Sequence, residues 1–119
     1  MEKTYTIQEM VGITGLTAHT LRYYERIGLL DHVTRDSNGY RRYRASDITW
    51  IDFLTRLRAT GMPVRKMQQV ADLRRKGEET ISERRVLLEE HENKVAKKIA
   101  ELEANFSEIK RKVLYYKQM

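Results

Sequence analysis

Thr20-Leu-Arg-Tyr-Tyr-Glu-Arg-Ile-Gly-Leu-Leu30 packs two arginines, two adjacent tyrosines and a glutamate into eleven residues, between apolar residues spaced for burial. Read as a helix, Leu21, Tyr24 and Ile27 share one face, because residues three and four apart stack along the same side. Thr20, Arg22, Tyr23 and Arg26 then face solvent, behind a leading edge of Thr17, Ala18 and His19. Cations and hydroxyl donors on such a surface are the equipment of a helix that enters the major groove N-terminus first. Its first turn reads base edges, and Arg and Tyr grip phosphates. The competing reading is a solvated face stabilised by local pairs, which gives no role to an exposed Tyr23.

The flanking residues supply the frame. Thr6-Ile7-Gln8-Glu9 has the form of a capping box, so a short helix begins there and is expected to stop around Gly12. After a turn at Gly15, Thr17 caps the second helix, and Gly28 ends it. Two short helices around a tight glycine turn make a helix-turn-helix candidate. Beyond it, Asn38-Gly39 signals a hairpin in which both residues take positive φ, with a basic second arm of Tyr40, Arg41, Arg42 and Arg44. A basic ribbon directly after a recognition helix occupies the place of a wing against the DNA backbone. A basic edge strand protected by its charge is the alternative.

Ser46 is expected to cap a third helix with Ile48, Ile51, Leu54 and Leu57 as its apolar stripe and Trp50 and Phe53 beside it. Pro63 suits the first turn of a fourth, whose inner face is Val64, Met67, Val70, Ala71 and Leu73, and Gly77 is its stop. Thr80-Ile81-Ser82-Glu83 repeats the capping-box form, and neither Gly nor Pro follows it up to Met119. Ile81, Leu88, Val95, Ile99, Leu102, Phe106, Ile109, Val113 and Tyr116 fall on alternating a and d positions of a heptad, interrupted only at Arg85 and Glu92. At 1.5 Å per residue such a helix runs to about 57 Å, longer than a small domain is wide. Its stripe needs a partner helix, and a second copy of the chain is the simplest one. Folding back onto its own N-terminal core is the other option.

Charge separates the same two parts. Residues 1–76 carry 14 Lys/Arg against 8 Asp/Glu, whereas residues 77–119 carry 9 of each, so the whole formal charge of +6 lies in the first part. That asymmetry favours a polyanionic partner for the first segment and an uncharged one for the second. A chain of 119 residues fits one compact domain plus an appendage. The absence of cysteine excludes disulfides, thiolate metal sites and thiol redox sensing. His19, His32 and His91 are scattered too widely to suggest a metal site. No nucleophile–base pairing or phosphate-binding glycine loop points to an enzyme, and no cofactor is implied. With no bilayer-length apolar run and no charged-then-apolar leader, a soluble, intracellular protein without membrane contact is expected.

With TLRYYERIGLL, then NGYRRYRASD, then a third helix ending LRATGMPV, the chain resembles the MerR family of bacterial transcription regulators over about residues 4–75. The resemblance implies a mainly α fold: a winged helix-turn-helix DNA-binding domain, residues 1–76, followed by a dimerisation helix, residues 77–119, paired antiparallel with its twin. It implies DNA contacts from Arg22 and Tyr23 on the recognition helix, with Tyr24 beside them and partly in the core. Tyr40 and Arg41 match wing positions, and Arg58, at the end of the third helix, matches a basic residue on a second wing formed by the third and fourth helices. Arg42, Thr17, His19 and Thr20 complete the candidate DNA-facing set; Leu88, Val95, Ile99, Leu102, Phe106, Ile109 and Val113 form the candidate dimer seam.

The implied function is that of a homodimer on an inverted-repeat operator in double-stranded promoter DNA. In that family the dimer bends and underwinds an over-long spacer, so RNA polymerase is an indirect partner and the location is the bacterial cytoplasm, at the nucleoid. The departures concern sensing. Metal- and redox-sensing members carry cysteines that this chain lacks, and drug-sensing members append a ligand domain. SDITWIDFLTRLRATGMP is most similar to a thiol-dependent, aldehyde-responsive branch, whose single cysteine aligns with Arg56 here. A small-molecule effector of unknown identity has one candidate place, an apolar pocket near Met67, Val70, Tyr115 and Tyr116; the alternative is that these residues simply pack. His91, beside the seam, is either a proton switch or a solvent-facing flank residue. Two rivals from other classes stand: a coiled-coil adaptor with a basic docking domain, and a DNA-shaping protein without sequence preference.

Overall fold

The structure is a computed structural model that describes residues 2–31 and 33–119; Met1 and His32 lie outside it. In chain order it contains β1 (Thr4–Tyr5), α1 (Ile7–Thr14), α2 (Ala18–Arg26), β2 (Thr34–Arg35), β3 (Arg41–Arg44), α3 (Ala45–Ala59) and α4 (Val64–Lys76). A 3-10 turn, Glu78–Thr80, then leads into α5 (Ile81–Lys117), a helix of 37 residues. The chain forms two compact units, Met1–Arg84 and Arg85–Met119. The first extends past Gly77 because the opening turn of α5 is bonded to α4: the Thr80 hydroxyl reaches the carbonyls of Leu73 (2.6 Å) and Gly77 (2.8 Å), and Arg84 Nη2 donates to Gly77 O at 3.1 Å. The hydroxyl expected to cap α5 is thus turned back onto the end of α4.

Local chemistry explains the helix boundaries. At α1 the capping box forms: Thr6 N–H donates to Glu9 Oε1 at 2.9 Å and Glu9 N–H to Thr6 Oγ1 at 3.1 Å, which fills two orphan donors reciprocally. The bond from Thr6 N–H is the main cause that holds the Glu9 carboxyl below its ordinary pKa. The helix runs through Gly12 to Thr14 and stops at Gly15, whose φ of 76° lets its N–H close onto Val11 O. Thr17 caps α2 as expected, accepting from Thr20 N–H at 3.1 Å. At α3 the expected cap moves. Arg44 holds the N-cap position, and Asp47 Oδ2 accepts its N–H at 2.8 Å in place of any cap from Ser46. A carboxylate in the first turn also suits the helix dipole.

A third strand joins the hairpin. β1 pairs antiparallel with β3, Thr4 opposite Arg44 and Tyr5 opposite Tyr43, on the edge opposite β2, so the order is β1-β3-β2. Two residues give no readable periodicity, which is why this strand has no signature in the sequence. The hairpin turn also differs from the expected type. Gly39 alone takes positive φ (82°); Asn38 does not. Asp36 organises the loop instead, its Oδ1 accepting from Asn38 N–H (2.9 Å) and Tyr40 N–H (3.0 Å). A five-residue loop, 36–40, with a left-handed glycine at its fourth position suits this geometry, whereas a two-residue turn would need positive φ at both positions.

The core of the first unit is built from α1 (Met10), α2 (Leu21, Tyr24), the loop after it (Leu29, Leu30), β3 (Tyr43), α3 (Trp50, Ile51, Leu54, Leu57) and α4 (Met67, Val70, Ala71), all buried. Met67 and Val70 therefore fill this core already, while Tyr115 and Tyr116 stand exposed on α5. Among the described residues no helix is long and apolar enough to cross a membrane.

Candidate nucleic-acid interface

The buried face of α2 decides what its other faces present. Leu21 and Tyr24, 0% and 2% exposed, lock the helix to the core. His19, Arg22 and Arg26 consequently face solvent, and Thr20 and Tyr23 are half-buried beside them. Thr17 and Thr20 share a hydroxyl–hydroxyl bond of 3.0 Å at the helix start, so both side chains are held in fixed positions. The Arg26 guanidinium lies 5.4 Å from the Tyr23 ring centroid, a cation–π contact that orients the tyrosine along the exposed edge. Tyr24 belongs wholly to the core, further than its spacing suggested, with its hydroxyl accepting from Arg58 Nη1 at 3.4 Å.

The wing is fastened to the rest of the unit by two of its arginines. Arg41 Nε donates to Glu25 Oε1 at 3.0 Å in a half-buried ion pair that joins β3 to α2. Arg42 Nε donates to Thr4 Oγ1 at 3.0 Å and ties β3 to β1. Tyr40, by contrast, is 69% exposed at the tip. Arg35 and Arg44 are exposed on the same ribbon, Arg35 Nη1 donating to Gly39 O at 2.9 Å. Arg35 was not singled out by the sequence; its only signal is a lone cation ahead of the turn, which pattern does not distinguish from a solvated strand residue. Arg58 is exposed at the end of α3, and its bond to Tyr24 is the main cause that raises its pKa further.

These pieces converge. Thr6, Ile7 and Gln8 at the start of α1, Arg22 of α2, and Arg35, Gly39, Tyr40 and Arg41 of the wing line one groove of about 310 Å³. The groove is lined by three guanidinium groups, of which Arg41 is held by Glu25; cations at such a surface suit contact with phosphate oxygens.

Residues 5–73 match the family model for the MerR HTH family regulatory protein, and residues 48–111 match the model described as MerR, DNA binding. The chain belongs to the MerR family. Among MerR-family relatives, an uncharacterised HTH-type transcriptional regulator of Haemophilus influenzae is 35% identical over 115 residues, covering 97% of this chain and 85% of its own length. The crystal structure of HiNmlR, a MerR family regulator lacking the sensor domain and bound to promoter DNA, superposes with a TM-score of 0.87 at 34% identity, over 98% of this chain and 92% of that one. A MerR-family transcriptional regulator of Bacillus thuringiensis gives a TM-score of 0.81 at 30% identity, over 93% and 97% of the two chains. This MerR-family chain is a DNA-binding transcription regulator with a winged helix-turn-helix unit and a long C-terminal helix.

Proposed function

We propose that the protein acts as a homodimer on an inverted-repeat operator and distorts the promoter between its half-sites. One observation carries the dimer: Ile99, Leu102, Phe106, Ile109 and Val113 lie along α5 at alternating spacings of three and four, and are 51%, 70%, 58%, 61% and 47% exposed. Each is already partly covered, so burying the rest is worth about half of the 1.5–3 kcal/mol of a full burial, and five from each of two chains together reach the order of the roughly 4–15 kcal/mol lost in association. Leu88 and Val95, half-buried, extend the same seam toward the start of the helix. An antiparallel pairing places the two DNA-binding units at opposite ends, which suits two separated half-sites.

In this reading Thr17, His19, Thr20, Arg22 and Tyr23 meet base edges and nearby phosphates, Tyr40 and Arg41 meet the backbone from the wing, and Arg58 grips it from the C-terminal end of α3. Arg42 supports the wing from behind through Thr4. Bending a site of operator length costs on the order of 1–6 kcal/mol, recovered from contacts that only the bent duplex allows. Activity is then a choice between two DNA shapes, exercised without catalysis at the bacterial nucleoid.

Selection of bound duplexes from a random DNA pool at near-physiological salt tests this. An inverted repeat with one half-site spacing is the expected result. Featureless enrichment with a steep salt dependence would overturn it in favour of an adaptor with a basic docking surface.

A further inference from the structure

Every turn that leaves a helix strands carbonyls that need donors. At the end of α2 the carbonyls of three consecutive residues are each taken by a side chain from another helix. Gln68 Nε2 of α4 donates to Ile27 O at 2.9 Å, Arg75 Nη1 of α4 to Gly28 O at 2.8 Å, and Trp50 Nε1 of α3 to Leu29 O at 2.8 Å. The next side chain is held as well: Asp31 receives Arg74 Nη1 on one oxygen at 3.3 Å and Arg75 Nη1 on the other at 3.4 Å. Arg74 lies 4.4 Å over the Trp50 ring, which links α3 and α4 at the same place. Asp72 braces Arg75 from within α4.

The far end of α4 is held just as closely. Thr80 and Arg84 bond the Leu73 and Gly77 carbonyls, so the first turn of α5 is fastened to the last turn of α4. Arg84 Nε also donates to Thr80 Oγ1 at 3.1 Å. An unbroken series of side-chain bonds therefore runs from the start of α5, through α4, to the C-terminal end of α2.

We infer that Gln68, Arg75 and Trp50 are positioning residues that fix the angle of α2 to α4, and thereby set the half-site spacing the dimer accepts. None of them needs to touch DNA. In a twofold dimer the half-site spacing follows from the geometry of the two recognition helices, and how sharply one spacing is selected follows from how firmly each is held; three donors on successive carbonyls oppose both rotation and translation of α2. Loosening the joint leaves each half-site contact intact but blurs the register between the two. The inference rests on the homodimeric operator reading.

The test is a spacing profile. The affinity of the full chain is measured for inverted repeats whose half-site separation is varied one base pair at a time, and for an isolated half-site. Wild type is expected to show one sharp optimum. Arg75→Gln, which also removes the ion pairs to Asp31 and Asp72, and Gln68→Ala are expected to reduce the preference for that optimum over its neighbours about tenfold, with half-site affinity within about twofold of wild type. Trp50→Phe, which keeps a ring under Arg74 but removes the N–H together with part of a buried ring, is expected to do the same, so no single substitution decides the matter. An equal fall at every spacing and at the half-site, or an unchanged profile in all three variants, would overturn the positioning role. A wild-type profile without any optimum would overturn the operator reading itself and this inference with it.

Discussion

Arg58 Nη1 stands 3.4 Å from the hydroxyl of Tyr24, a residue 34 positions earlier whose ring is buried in the core. A tyrosine from α2 thus aims a cation that lies at the C-terminal end of α3. The proposed recognition helix and the end of α3 are joined by one bond.

That bond predicts a coupled pair. Arg58→Ala should weaken binding to all sequences alike and lower the salt slope by about one. Tyr24→Phe should produce a smaller loss of the same kind, and should add nothing in the Arg58→Ala background, because the hydroxyl then has no cation to aim. Binding titrations at several salt concentrations on the four proteins of the cycle measure this; additive losses would show the two residues act separately.

Arg22→Ala should cost roughly tenfold or more in operator affinity while changing affinity for random DNA little, the pattern of a lost base-edge or register contact. Tyr23→Ala should cost less, since its ring is half-buried and part of its surface serves the fold. Gel-shift competition, with sedimentation to confirm that the dimer persists, provides the readout.

Replacing both Ile99 and Phe106 with Glu places two charges per chain on the exposed seam, which no partner helix can bury without cost. Sedimentation should then show monomers at concentrations where wild type is dimeric, and operator binding should be lost. A persisting dimer would mean the seam lies on another face of α5.

His91 is half-buried on α5, and burial first, then the nearby Lys98 and Lys94, lowers its pKa below the ordinary 6.5. Between the lowered folded value and 6.5 the unfolded chain binds the proton and the folded chain does not, so stability falls as pH drops through that window. Thermal melts from neutral pH into mild acid should show a drop that His91→Gln reduces.

Much of this molecule is written locally. Capping needs a side chain within three residues, so Thr6 with Glu9 and Thr17 ahead of α2 were readable, and the stripe Ile51, Leu54, Leu57 was readable from period alone. Where the reading failed, a competing local partner won. Asp47 replaced Ser46 at α3, Asp36 shaped the turn assigned to Asn38-Gly39, and Thr80 served α4 instead of α5. On α2 the exposure of Arg22 and Arg26 was legible, because a helix with one buried face must show the opposite one, whereas Thr20 and Tyr23, read as solvent-facing, are half-buried at the edge of that face.

The candidate site divides along the same line. Sequence determined which face of α2 carries its cations and that α5 bears a long unburied apolar stripe, since both follow from periodicity and charge along a continuous stretch. Tertiary structure alone decided that Arg41 is held by Glu25, that Arg42 is held by Thr4, that Arg58 is aimed by Tyr24, and that the end of α2 is gripped by Trp50, Gln68 and Arg75. Those pairs lie 16 to 47 residues apart, and hydrogen bonds act over about 3 Å, so only the folded chain brings their partners within reach.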